Sequence, residues 1–278
     1  MSLNFDSIGV RHGPVKFSYT SNDLVLYALS VGADQNSLNL IYEGDFDFAA
    51  LPTFAVVPIT SLMFDAITAL NADLTRLLHG EQENVIHRPL PTEADLETYW
   101  WVDGIYDKGK GALAVLKSET HDKKGLLFEN IVGMFLRGAG GFGGNRGPQT
   151  KDYTPPTGKS PDFEVKTPTL PYQSYLYRLN GDMNPLHASP QFAQMAGFER
   201  PILHGLGTYG FATRAFITAV NDGDPTKVKH VATRFSGVVY PGDTIITRGW
   251  QVDNKKWVLT SETDRNVKVL SNFVIETR

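Results

Sequence analysis

Asp182, Asn184 and His187 stand within six positions of one another in the stretch 177–206, YRLNGDMNPLHASPQFAQMAGFERPILHGL. A carboxylate, an amide and an imidazole together suit the activation of water. The imidazole shuttles a proton near neutral pH, and a carboxylate within reach shares a water with it. The amide orients that water, or a carbonyl, without titrating. The same residues also fit plain turn chemistry, because Gly181 and Pro185 flank them and a loop Asp often caps backbone groups. A second turn, Pro201-Ile202-Leu203-His204-Gly205-Leu206, opens an apolar helix. Glycine at a helix start lets a ligand come close to the backbone. The Gly205 N–H and the positive end of the helix suit an enolate-like oxygen. A glycine required only for packing would look the same, and His204 reads as structural.

Gly138-Ala139-Gly140-Gly141-Phe142-Gly143 fits G-x-G-x-x-G after an apolar strand. A dinucleotide site needs a helix directly after the glycines, to hold the pyrophosphate at its N-terminus. Here Asn145-Arg146-Gly147-Pro148 follows instead. The segment therefore reads as a glycine-rich connection, or as a loop lying against a ligand with Arg146 near phosphate. The chain has no G-x-S-x-G, no H-E-x-x-H or comparable zinc cluster and no Walker loop.

The elements that must position these residues fall into two similar runs. Residues 19–33 predict a capped amphipathic helix, with Leu24, Tyr27, Ala28 and Val31 on one face. Residues 51–58 are short, apolar and bounded by prolines. Residues 59–78 read as a helix carrying Met63, Ile67, Leu70, Leu74 and Leu77. Strands follow from residue 83, at 99–106, 112–118 and 126–137, as an antiparallel meander. Residues 138–171 are rich in Gly, Pro and polar residues and predict a break with no regular element. In the second half Ser189 caps a short helix with Pro190 at its first position and Gly197 beyond its end. Leu203, Leu206, Gly210, Thr213, Ile217 and Val220 mark one face of a longer helix that stops at Asn221-Asp222-Gly223. Strands are expected at 228–239, 244–253, 257–264 and 267–277. The repeated grammar implies a duplicated α+β architecture.

Composition removes other classes. The 278 residues carry 26 basic and 30 acidic side chains, a net charge of −4, which gives no reason to expect nucleic acid as a partner. With no cysteine, disulfides, thiolate nucleophiles and cysteine metal sites are excluded. No run is long and apolar enough to span a membrane. The first residues lack the apolar core of a signal peptide, and the last three are not a Ser-Lys-Leu type address.

The segments 177–187 and 196–206 resemble the hydratase 2 motif of MaoC-like (R)-specific enoyl-CoA hydratases, in the two-repeat form found in peroxisomal multifunctional enzyme type 2. YTSNDLVLYALSVGA, IYEGDFDFAALPTFAVVP, LLHGEQ, DKGKG, RGAGGFGG and RFSGVVYPGD extend the likeness over nearly the whole chain. The resemblance implies a double hotdog fold, each half wrapping an antiparallel sheet around a long helix. It divides the chain into an N-terminal hotdog (1–150), a linker (151–170) and a C-terminal hotdog (171–278). It also implies that the N-terminal half lacks the motif and has lost its long helix, leaving room for bulky acyl chains.

Carried over by residue, Asp182 and His187 hold and activate a water, and Asn184 positions groups beside them. The Gly205 N–H binds the thioester oxygen. Water then adds to trans-2-enoyl-CoA to give (3R)-3-hydroxyacyl-CoA, without a metal or organic cofactor, in fatty-acid β-oxidation. His79, Gly80, Lys108 and Ser236 match positions that contact acyl-CoA in relatives, with Arg146 as a further candidate. A homodimer is expected, peroxisomal in a eukaryote and otherwise cytoplasmic. Asn180 and Met183 depart from the usual Ser and aromatic residue. A non-catalytic acyl-CoA-binding module and a hotdog thioesterase are the alternatives, since fold alone does not establish activity.

Overall fold

The order in which the strands pair shows a chain built twice over. The computed structural model describes residues 3–148 and 151–278. In chain order the elements are β1 (His12–Tyr19), α1 (Ser21–Ser30), α2 (Leu38–Ile41), α3 (Leu62–Ala69), β2 (Leu77–Ile86), β3 (Ala94–Asp107), β4 (Gly111–Asp122) and β5 (Gly125–Arg137). Then come β6 (Phe163–Pro168), α4 (Gln173–Tyr177), α5 (Pro190–Met195), α6 (Gly205–Val220), β7 (Val228–Phe235), β8 (Thr244–Asp253), β9 (Lys256–Thr263) and β10 (Lys268–Thr277). All ten strands join one antiparallel sheet in the order β1-β3-β4-β5-β2-β7-β10-β9-β8-β6. Read inward from either edge, the strands of each half run first, third, fourth, fifth, second. The halves meet where β2 pairs with β7, from Glu81 opposite Arg234 to Val85 opposite His230. Arg234–Glu81 and His230–Glu83 contacts cross that seam. This is the duplicated α+β, double hotdog arrangement that the sequence implied.

Three expectations need correction. Residues 138–171 contain a strand, β6, which pairs with β8 from Phe163 opposite Gly249 to Pro168 opposite Thr244. It lies at the sheet edge, where a proline without an N–H is tolerated, and it is the counterpart of β1. The second repeat therefore starts inside the segment expected to be linker. Residues 59–78 are not one helix. α3 ends at Ala69, Asn71 turns the backbone to φ 51°, and Asp73 caps a 3₁₀ turn, Leu74–Arg76, that leads into β2. β1 itself was not anticipated.

Other signals held. Thr20 and Asp23 form a capping box at α1, with the Thr20 N–H donating to the Asp23 carboxylate at 2.7 Å. Ser189 caps α5, and α6 ends at Asn221. The N-terminal half has no counterpart of α6 among the described residues. Its concave side holds the short α3 and the 3₁₀ turn Pro52–Val56. Among the described residues no helix is long and apolar enough to cross a membrane.

α6 belongs to the second half and is fastened to the first. Its Tyr209 hydroxyl donates to Asn84 Oδ1 on β2 at 2.8 Å. Asn84 and Gln82 donate in turn to Asn130 Oδ1 on β5, and Asn130 Nδ2 donates to the Ala55 carbonyl at 3.1 Å. Buried amides left unpaired are costly, so this chain of bonds fixes a position as well as adding stability. Arg214 Nε likewise donates to the Val31 carbonyl at 3.0 Å. The helix also comes close at Gly210, where an added Cβ would lie 2.5 Å from Val31 Cγ1 and 2.9 Å from the Tyr27 hydroxyl. Gly210→Val is therefore expected to destabilise the fold by about 1–3 kcal/mol, the usual range for overpacking. A urea midpoint unchanged from wild type would show that α1 yields freely to α6.

Candidate active site

The hydratase-like loop is built from local turns that leave two side chains free for chemistry. Gly181 ends a 3₁₀ turn, Arg178–Asn180, with φ 112°, a left-handed conformation that favours glycine. Asp182 Oδ1 then accepts from the Asn184 N–H at 3.1 Å, and Asn184 Oδ1 accepts from the Leu186 N–H at 3.0 Å. Pro185 begins the next 3₁₀ turn, Pro185–His187, which ends on His187. Asn180, one of the two departures from the family motif, anchors the loop to the first repeat. Its Nδ2 donates to Ser30 Oγ at 2.9 Å and to the Tyr177 carbonyl at 2.8 Å.

The second turn is fixed against the connection between β7 and β8. The Leu203 N–H donates to the Val239 carbonyl at 2.8 Å, and Arg200 donates to the Pro241 carbonyl at 2.9 Å. His204 adopts an extended backbone, and α6 begins at Gly205 without a side-chain cap. The first N–H groups of any α-helix lack intrahelical partners, so the Gly205 N–H has none within its sixteen-residue helix and stands at the positive end.

The loop and the turn meet through two imidazoles. His187 Nδ1 lies 2.9 Å from the Ile202 carbonyl. A carbonyl only accepts, so Nδ1 carries the proton and Nε2 keeps its lone pair. His204 Nε2 donates to the Asp182 backbone carbonyl at 3.3 Å, and its buried Nδ1 has no partner among the described residues. The two rings stack with centroids 3.7 Å apart and planes 27° from parallel. Burial pushes the His187 imidazole below its ordinary value, partly opposed by the Asp182 charge. Burial pushes His204 well below, and a charge on His187 would push it further. Both rings are therefore neutral near pH 7. A carboxylate oxygen of Asp182 and ring nitrogens of His187 and His204 lie within 4.8 Å of one another. These are metal-ligand donor types, a cluster the sequence did not reveal, although one nitrogen of each ring is already committed to a carbonyl.

The expected substrate contacts fall into two groups. His79 sits at a bulge in β2, its enclosed Nε2 without a partner among the described residues, and burial lowers its pKa to about 4. Its ring meets Phe235 edge-on at 5.0 Å between centroids. Phe235 in turn lies against Gly205, where an added Cβ would come within 3.2 Å of the ring. Phe235 thus links His79 to Gly205, a contact that sequence reading missed. The exposed Ser236 hydroxyl pairs with that of Ser271. Lys108 and Arg146 form the second group: Lys108 Nζ donates to the Arg146 backbone carbonyl. Gly80, beside His79, packs between the groups, its α-carbon face toward the Gly133 carbonyl and Phe135.

Comparison with known proteins gives the family. Residues 17–138 match the family model described as MFE-2 hydratase 2 N-terminal domain, and residues 152–272 match that of the MaoC like domain. The probable enoyl-CoA hydratase 2 of Dictyostelium discoideum is 41% identical over 91% of this chain and 88% of its own length. The peroxisomal enoyl-CoA hydratase 2 of Arabidopsis thaliana is 38% identical over 93% of this chain and 90% of its own. Among solved structures, a MaoC-like dehydratase from Phytophthora capsici superposes with a TM-score of 0.91 at 32% identity, covering 99% of this chain and 98% of that one. A Mycobacterium tuberculosis protein described as a double hotdog fold superposes at 0.61 with 16% identity, which bears on fold alone. The chain belongs to the MaoC-like hydratase 2 family.

Proposed function

We propose that this protein is a (3R)-specific enoyl-CoA hydratase, adding water reversibly to trans-2-enoyl-CoA in fatty-acid β-oxidation. The observation that carries the reading is His187. Its Nδ1 proton is committed to the Ile202 carbonyl, so a neutral ring keeps a basic Nε2, and the ring sits with the Asp182 carboxylate and with His204, the residue before α6. A water held between Asp182 and His187 loses a proton to that pair as its oxygen bonds to C3. Electron density moves to the thioester oxygen, where the Gly205 N–H and the helix dipole stabilise it. Collapse of the enolate takes the proton back at C2. One water is consumed, no net proton is lost, and no redox step is needed. Asn184 serves by capping the turn that presents His187. The plant relative's name supports a peroxisomal setting in a eukaryotic host.

The test is loss of enoyl absorbance on incubation with trans-2-enoyl-CoAs of four to sixteen carbons, with chiral analysis of the product. Absence of turnover, an S product, or release of free CoA would each overturn the reading.

The pH dependence has a definite sign. The active form has a neutral His187, and burial lowers its pKa. The acid limb of kcat/KM should therefore have its midpoint below the ordinary histidine value of about 6.5. Activity is full above that midpoint and is lost as the ring protonates. A midpoint above 6.5 would mean that the Asp182 charge outweighs burial.

A further inference from the structure

The glycine-rich loop winds around a carboxylate. Asp107, at the end of β3, is only 7% exposed. Its Oδ1 accepts from the Gly109 N–H at 2.7 Å and the Gly141 N–H at 2.9 Å. Its Oδ2 accepts from the Gly143 N–H at 2.8 Å. The Asp107 N–H donates to the Asn145 carbonyl at 2.9 Å. The loop therefore touches Asp107 from Gly141 to Asn145, and the N–H groups a phosphate would need are already taken. This disposes of the dinucleotide reading of G-x-G-x-x-G: no helix follows, and the anion at its centre is internal.

The glycines are dictated by that wrapping. Gly141 and Gly143 have φ near +80°. A Cβ on Gly140 would lie 2.3 Å from the Gly111 carbonyl oxygen and 2.6 Å from that of Gly109. One on Gly147 would lie 2.7 Å from the Tyr106 ring. The wrapped loop carries the Arg146 backbone onto the Lys108 ammonium. Around it stand Lys110, Arg137 and the exposed Arg146 side chain, with the Gly138 α-carbon beside Arg76.

This assembly connects to the reaction site through a continuous line of contacts. Gly205 meets Phe235, and Phe235 meets His79. Gly80, next to His79, faces Phe135, whose ring reaches Gly111 at the foot of the loop. This run of contacts joins the hairpin that carries Lys108 and Lys110 to Gly205.

We propose that Asp107 is a positioning residue: its carboxylate clasps the loop 138–147 so that Lys108 and Arg146 are set for the phosphate-bearing end of a thioester substrate. This rests on the hydratase reading, and it concerns how the substrate's far end is held, not the chemistry. The N–H groups of Gly141 and Gly109 hold the Asp107 carboxyl below its ordinary value, so the clasp is charged throughout the neutral range.

Asp107→Asn keeps the shape but turns one oxygen into an NH₂ that faces another N–H, so one arm of the clasp opens. Steady-state kinetics are measured with a trans-2-enoyl-CoA and with the matching enoyl-pantetheine, which lacks the phosphates. The expected result is a rise in KM of about tenfold for the CoA ester alone, with kcat nearly unchanged. Gly140→Ala provides a second route, since its methyl pushes the loop off the hairpin without altering Asp107, and it should show the same split. Loss of kcat on both substrates from both variants would show a merely structural role. Unchanged KM for the CoA ester in either folded variant would also overturn the proposal. Turnover of enoyl-pantetheine by the wild type reports on the hydratase reading separately.

Discussion

Asp182→Asn and His187→Gln are each expected to lower kcat/KM for a trans-2-enoyl-CoA by about 10²–10⁴-fold, the usual contribution of positioned acid–base groups. The loss should fall on kcat, because the pair touches the water and not the body of the substrate. The two act as a unit, so the double variant should lose little more than the worse single one. Multiplication of the two effects would instead mean separate waters or separate steps. Folding should survive both changes. His187 gives up one bond to a carbonyl, and Asp182 Oδ1 can be replaced by an amide oxygen accepting from Asn184. Equal activity of both variants with wild type would remove this loop from the chemistry.

The same loop shows what a sequence can and cannot carry. The turns of Asp182 and Asn184 were legible because the N–H groups they accept from lie two residues on, whereas the partner of the His187 ring, Ile202, lies fifteen residues away. α6 was legible because its apolar period runs unbroken to Asn221-Asp222-Gly223. His204 was read as scaffold, and no local signal contradicts that. It stacks on His187 where the turn is tied by the His187–Ile202 and Leu203–Val239 bonds, fifteen and thirty-six residues apart in sequence. Phe235 and Asp107 were missed for the same reason: their partners lie at Gly205 and at Gly141 and Gly143.

Strands β1 and β6 were illegible for a different reason. Both are edge strands containing a proline, and each pairs with a strand roughly eighty residues away in sequence. Pro and Gly signal turns locally, and only the duplicated strand order shows that these two segments are equivalent. The apolar spacing at 59–78 failed because Leu74 and Leu77 continue the helical period after Asn71 has already turned the backbone.

The oxyanion donor admits a sharper test than deletion of a side chain, because it is a backbone N–H. Gly205 is the first residue of α6, the helical position at which proline is best tolerated. His204 before it has ψ 137°, the extended conformation that a residue preceding proline prefers. Gly205→Pro should therefore keep the helix while removing the one donor proposed to hold the thioester oxygen. Any added Cβ meets Phe235 at 3.2 Å, so Gly205→Ala carries the same crowding and keeps the N–H. The proline variant is expected to lose about 10²–10³-fold in kcat, the scale of a single oxyanion-hole donor. The alanine variant should lose far less. Circular dichroism and thermal unfolding of the two should match if the helix is intact. Equal loss in both would assign the glycine to packing against Phe235, the alternative its sequence position always allowed. A loss confined to proline assigns the N–H itself to the developing negative charge.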